Sequence, residues 1–176
     1  SDVCSSDLAM FSLIPRLFIP DAAGTPIWNP DYLASEPTLV TEPTQVVTYN
    51  INPKAAWYDG ASITWEDFHW QWRASNGTNP AYQIASSSGY SEIESVERGR
   101  DDREVIVTFK NNYADWQAIF YGVYPASTNK SPEIFNEGWK GRPLTTAGPY
   151  KVESIDQTSQ TVTLVRNEKW WGDPGK

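Results

Sequence analysis

The clearest period-two alternation lies at residues 45–51, QVVTYNI: Val47, Tyr49 and Ile51 fall on one face and Val46, Thr48 and Asn50 on the other, which predicts a strand. Two later pairs of alternating runs predict hairpins. SEIESVE and REVIVTFK are joined by the charged turn RGRDD, and TAGPYKVESID and QTVTLVRN meet around Thr158-Ser159. The second strand of the first pair has Val105, Val107 and Phe109 on one face and Ile106 on the other, so it is expected at the centre of a sheet.

Helical periodicity is strongest just after the Asp59-Gly60 turn. Thr64 is placed to cap free backbone donors, with Asp67 three residues on to close a capping box. Trp65, Phe68, His69 and Trp72 then form one apolar face. Asn76-Gly77 ends that helix and Pro80 prevents its return. Residues 113–122, YADWQAIFYG, predict a second helix with Trp116, Ile119 and Phe120 inward, and Pro132 suits the first turn of a third, PEIFNEGWK. Residues 9–20 are apolar but broken by Pro15 and Pro20, consistent with a short kinked helix or strand. Pro26, Pro30, Pro37 and Pro43 predict an extended connection over 21–44 rather than an element. Residues 81–90 suit a short helix or a loop. The sum is an α/β chain with mainly antiparallel pairing.

Composition narrows the class. The chain has 176 residues, 39% hydrophobic, enough for a core, with a formal net charge of −8. No clustered Lys and Arg are present to neutralise phosphates, so no nucleic acid is expected as partner. No apolar run approaches the roughly 20 residues of a membrane span. The single cysteine, Cys4, excludes an internal disulfide and a cysteine-rich metal site, but leaves the compartment open. The opening SDVCSSDL lacks the basic and apolar regions of a signal peptide and shares no pattern with the rest of the chain; residues 1–8 are read as a non-native leader. The closing WWGDPGK stops just after an aromatic pair that needs packing, as in a piece of a longer protein.

Candidate chemistry is sparse. Trp57, Trp65, Trp70 and Trp72 crowd into sixteen positions. They suit either a stacking platform or the packing of a turn against a helix, and the helical spacing of Trp65, Phe68 and Trp72 favours packing, with Trp70 off that stripe and expected to be the most exposed. Glu66 and Asp67 diverge by about 100° on a helix, which suits first-turn capping better than a glycosidase pair. His69 is the only histidine and lacks a G-x-S-x-G turn, so neither a catalytic triad nor a metal site is expected. Asp101, Asp102 and Glu104 lack the order of a calcium loop and read as a solvated turn. Asn76-Gly77-Thr78 and Asn129-Lys130-Ser131 match glycosylation acceptors, triplets that are common by chance.

The ordered blocks PDYLASEP, VVTYNINPKAAWYDGASITWEDF, AGPYKVESI and VTLVRNEKWW resemble the extracellular solute-binding proteins of family 5, the peptide and oligopeptide receptors of ABC importers. The family pattern T-Y-x-I-x-x-x-A lies at residues 48–55, W-x-D-G at 57–60, I-T-x-x-D-F at 63–68, G-P-Y at 148–150 and L-x-R-N with trailing aromatics at 164–171. Trp65, Tyr58 and Ala147 depart from the family's usual small residues. The resemblance implies part of a two-lobed, class II periplasmic-binding-protein-like fold, with a mixed, mainly antiparallel sheet and flanking helices. On it, residues 9–176 belong to the first lobe, with a small subdomain at about 45–145 and return strands at about 146–176, and the second lobe is absent. It also implies a non-enzymatic receptor for a peptide or other small solute, working with membrane permease subunits and needing no cofactor. It would be a monomer on the outer side of the membrane, lipid-anchored in the full-length protein. The segment AYQIASSSGY matches a loop that approaches the bound peptide in the family, making Tyr82, Ser86, Ser87 and Ser88 the candidate ligand-binding residues. A carbohydrate-active enzyme or binding module is the alternative; it requires a carboxylate pair roughly 5 to 9.5 Å apart beside exposed indoles.

Overall fold

A computed structural model describes residues 13–140, 144–156, 158–159 and 161–172. The proposed leader, Cys4 and the last four residues lie outside these. The centre is a four-stranded antiparallel sheet in the order β3 (Thr38–Val40), β4 (Val46–Asn50), β6 (Glu104–Phe109), β5 (Ile93–Arg98). As its two-faced pattern predicted, β6 is flanked on both sides. Val47 and Val107 are partners across β4 and β6, as are Tyr49 and Val105, and all four are buried.

Helix α1 (Trp65–Ser75) packs on this sheet, and its start is built as the sequence predicts. Thr64 is extended, its Oγ1 accepts from Glu66 N at 3.3 Å, and Asp67 Oδ2 accepts from Thr64 N at 2.9 Å. The helix ends where Gly77 turns to φ +80°, a conformation that L side chains rarely adopt; a Cβ there would also meet Ser87 Cβ at 3.1 Å. Phe68 is wholly buried, its ring centroid 5.7 Å from Tyr49 and 5.1 Å from Phe120. Burying such a ring contributes about 3 kcal/mol. His69 Nδ1 lies 2.9 Å from Val96 O, so the lone histidine ties helix to sheet.

The structure corrects three expectations. The proline-rich connection contains two short strands, β2 (Pro26–Trp28), paired with β1 (Phe18–Pro20), and β3. Both are brief and at sheet edges, where a missing N–H is tolerated; Pro26 and Pro20 face each other at the end of their pair. Residues 113–122 form only a 3-10 turn at Trp116–Ala118. The chain after it is drawn into extended pairing, with Leu17 N donating to Tyr121 O, Val123 N to Pro15 O, and an Arg16–Gly122 bridge, so those backbone groups are not available to a helix. Residues 132–138 are helical, but Ile134–Gly138 widens to a π-helix, and an unforeseen α2 (Ala126–Asn129) precedes it.

The second hairpin is β7 (Tyr150–Asp156) with β8 (Thr161–Arg166), and Asp156 Oδ1 accepts from Thr158 N and Ser159 N in its turn. Among the described residues no further strand joins it. Its base is held by Trp170 and Trp171, whose centroids lie 5.9 and 5.8 Å from the Tyr32 ring. Trp171 Nε1 donates to Asp31 O at 2.7 Å. A polar cluster adds to this: Lys151 Nζ reaches Glu168 at 2.9 Å and the Tyr58 hydroxyl at 2.9 Å, and Lys169 Nζ lies 4.8 Å above the Tyr58 ring.

Candidate ligand cleft

The paired segments 15–17 and 121–123 meet the inner side of α1 and α2 to form a cleft of about 630 Å³. Arg16, Gln71, Tyr90, Tyr121, Tyr124 and Trp139 are on its wall. A second chamber of about 510 Å³ shares Tyr90, Ile119 and Tyr121 with the first and extends to Ser88, Tyr113 and Asp115. Few polar groups among many aromatic ones is the usual make-up of a small-molecule site.

Gln71 organises the cleft from the buried side of α1. Its Nε2 donates to the Tyr90 hydroxyl at 2.8 Å and to Gly122 O at 2.7 Å, and its Oε1 accepts from Tyr124 N at 2.8 Å. The Tyr90 hydroxyl donates to Ile119 O at 2.6 Å. Burial pushes its pKa up to about 12, with the Gln71 hydrogen bond opposing, so it stays a donor at neutral pH. Tyr124 and Trp139 meet edge to face at 5.1 Å, and the Arg16 guanidinium lies 5.0 Å above the Tyr121 ring.

The four residues singled out from sequence are dispersed. Ser88 lines the second chamber. Ser86 and Ser88 are exposed, with their Oγ atoms 2.9 Å apart; Ser87 is half-buried beside Gly77 and its carbonyl accepts from Ser91 N. Tyr82 is 7% exposed, and its hydroxyl donates to Asn129 O at 2.6 Å, with its ring edge-on to Phe135. It braces the wall of the first chamber from behind. The sequence reading missed Arg16, Gln71, Tyr121 and Tyr124. A signal existed for one of them: Gln71 follows Phe68 by three and precedes Ala74 by three, a polar residue on a buried stripe.

The tryptophan-rich corner is scaffolding. Trp57 is 3% exposed and its Nε1 donates to Asp67 Oδ2 at 3.2 Å. Trp65, Trp70 and Trp72 are half-buried and surround His69 edge to face at 5.6 to 5.7 Å. Trp70 is no more exposed in class than its neighbours, because Lys130 covers it with Nζ 5.7 Å from the ring. None of the nine tryptophans is exposed. Asp67 is also internal: besides Thr64 N and Trp57 Nε1 it accepts from Ala126 N at 2.7 Å, which links α1 to α2. Burial raises its pKa against those three hydrogen bonds. Asp102 pairs with Arg98 at 2.6 Å in the solvated turn, and among the described residues no cluster of three metal-ligating side chains occurs.

Similarity to known proteins decides the family. The description "Bacterial extracellular solute-binding proteins, family 5 Middle" matches residues 30–176. The chain belongs to family 5 of the bacterial extracellular solute-binding proteins. It is 44% identical over 166 residues to the oligopeptide-binding protein OppA of Mycobacterium bovis, covering 93% of this chain and 28% of that protein. It is 32% identical to the probable monoacyl phosphatidylinositol tetramannoside-binding protein LpqW of Mycobacterium tuberculosis, covering 100% of this chain and 28% of that protein. Among solved structures, the periplasmic EDTA-binding protein EppA superposes with TM-score 0.86 at 34% identity over 94% of this chain and 32% of that one. The oligopeptide-binding protein AppA of Bacillus subtilis, in complex with a nonapeptide, superposes with TM-score 0.75 at 20% identity over 97% and 33%. The fold is that of the class II periplasmic binding proteins, and the chain spans about 28% of the length of the curated relatives it matches. The relatives are solute-binding proteins rather than enzymes, and an extracellular location follows from the family.

Proposed function

We propose that the full-length protein is the substrate-binding component of an ABC importer that takes a peptide-like solute between two lobes and delivers it to a membrane permease. The 44% identity to an oligopeptide-binding protein over 93% of the chain carries this reading. The aromatic cleft, whose polar groups come from Gln71, Tyr90 and Arg16, supports it. The segment described belongs to the first lobe, with a small subdomain at about 45–145 and return strands at about 146–176. A second lobe elsewhere in the full-length protein closes over the cleft, and the solute biases the open–closed equilibrium by contacting both. The receptor acts as a monomer, lipid-anchored on the outer face of the membrane, without turning its ligand over. Tyr82, Ser86, Ser87 and Ser88 serve this cleft unequally: Ser88 faces the solute and Tyr82 holds the wall.

The carbohydrate alternative has less support, since no indole is exposed and the Asp67 carboxylate already accepts from three donors inside the protein. Titration calorimetry of the full-length protein against a peptide library tests the proposal. Saturable one-to-one binding of some peptides is expected. Hydrolysis of glycans with no peptide bound would overturn it.

A further inference from the structure

The first chamber is walled by rings, and most of its polar groups are already engaged. Tyr90, Tyr121, Tyr124, Phe135 and Trp139 line it, and all five are half-buried, so ring surface remains to be covered. Phe135 lies in the π-turn of Ile134–Gly138, with Trp139 directly after it; such turns are rare and recur at functional sites. Gln71 uses both Nε2 protons and Oε1 within the protein, and the Tyr90 hydroxyl both accepts and donates. The Arg16 guanidinium is occupied over the Tyr121 ring. No carboxylate is among the described lining residues, so a basic side chain finds no countercharge there.

One donor differs from these. Asn129 lines the same chamber, is 2% exposed, and its Nδ2 has no hydrogen-bond partner among the described residues. A buried donor in that state carries its desolvation penalty until an acceptor reaches it. The walls and this donor together suit a group that is mostly apolar ring with one acceptor at its edge. Size agrees. A cavity of about 150 Å³ is enough for a benzene ring. The chamber, at about 630 Å³, therefore holds a ring together with the peptide backbone that carries it.

We infer that the first chamber takes the side chain of a tyrosine in the peptide, its ring packed among Tyr121, Tyr124 and Trp139 and its hydroxyl oxygen accepting from Asn129 Nδ2. This rests on the receptor reading above and adds a side-chain class to it. Offset and edge-to-face contacts favour any aromatic ring. The Asn129 donor is what separates tyrosine from phenylalanine. An alanine leaves rings and donor uncovered, and a lysine brings an unpaired charge into an aromatic space.

The test uses the full-length protein and alanine pentapeptides in which each position in turn carries Tyr, Phe or Lys, with binding read by calorimetry. At one position Phe should bind about tenfold or more tighter than Ala, as ring burial implies. Tyr should bind about fivefold tighter again, the worth of one neutral hydrogen bond. Lys should gain nothing there. Asn129→Leu should erase the step from Phe to Tyr and keep the step from Ala to Phe. It removes a donor that has no partner, so thermal stability should hold or rise. Trp139→Ala should shrink the step from Ala to Phe and Trp139→Phe restore it, with thermal unfolding reporting the fold of each. If no position prefers Tyr over Ala, or if Asn129→Leu keeps the full Tyr advantage, the assignment of the chamber is wrong, while the receptor reading stands as long as pentaalanine binds. If no peptide binds at all, both fail.

Discussion

The two sheets that flank the chain's aromatic residues are held in different ways. Around α1, strands β4, β5 and β6 each bury apolar residues in the core, and the buried side chains of Asp67 and Gln71 bond distant backbone groups. The β7–β8 hairpin buries none of its residues fully, exposes Val162 at 38%, and depends on Tyr32, two tryptophans and a surface ion pair at its base. The first region is a core stabilised by burial. The second is a two-stranded ribbon, an element that is marginal alone in water and takes its order from what it docks against. Local opening is therefore expected in the hairpin well below the free energy that unfolds the sheet.

The largest effect should come from Asp67→Ala. It leaves Thr64 N, Trp57 Nε1 and Ala126 N without their acceptor, for a loss of about 3 kcal/mol or more by urea denaturation. Asp67→Asn should fall between, because an amide NH₂ must then face a donor. The pH sign follows from the raised carboxyl pKa. Between the unfolded value, about 3.9, and the higher folded one, the native state binds more protons, so wild-type stability relative to Asp67→Asn should fall as pH rises through that window. A difference that grows with pH there would contradict the burial argument. Phe68→Ala should lose a similar amount, about 3 kcal/mol, through the cavity left between Tyr49 and Phe120. Both variants should lower the protection of β4 and β6 amides from exchange.

How much of this could be read in the residues follows the same divide between local and distant causes. Thr64 and Asp67 announced the helix start because a capping box is written within four residues. The core position of β6 was legible because both its faces are apolar. The third partner of Asp67, Ala126 N, lies 59 residues away and leaves no local mark. The predicted helix at 113–122 failed for that reason too: its periodicity is real, but the Gln45 side chain holds Tyr113 N and O at one end and residues 15–17 pair with 121–123 at the other. The cleft was the least legible part, since Arg16, Gln71, Tyr90 and Tyr124 come from four separate stretches and only folding brings them together. Tyr82 was recognisable as an amphipathic residue in a loop, but not as one whose hydroxyl points inward to Asn129.

The hairpin's attachment gives the intermediate effect. Trp171→Ala removes the ring packed on Tyr32 and the hydrogen bond to Asp31 O. A loss of about 2 kcal/mol is expected, below that for a buried ring because Trp171 is half-buried. It should appear in β7–β8 rather than throughout: amide exchange in the hairpin accelerates while β4 and β6 keep their protection. Uniform acceleration across both sheets would mean that the hairpin and the core unfold as one unit.

The smallest effect should be Glu168→Gln. Its carboxylate holds Lys151 Nζ at 2.9 and 3.0 Å, and Lys151 also reaches the Tyr58 hydroxyl, so the contact joins β7 to the turn before α1. Glu168 is exposed and Lys151 half-buried, and ion pairs at such a surface contribute little. No change in global stability is expected, only faster exchange at the base of the hairpin. The Lys151 hydrogen bond lowers the Glu168 pKa, which fixes the pH sign. The contribution is complete above the ordinary glutamate value, about 4.3, and fades as pH falls through the lower folded value. Salt at about 1 M, where screening acts within about 3 Å, should erase the difference between wild type and variant. A difference that survives that salt would place the hairpin's hold in the hydrogen bonds to Lys151 rather than in its charge, and would bring the two regions closer in kind than their burial suggests.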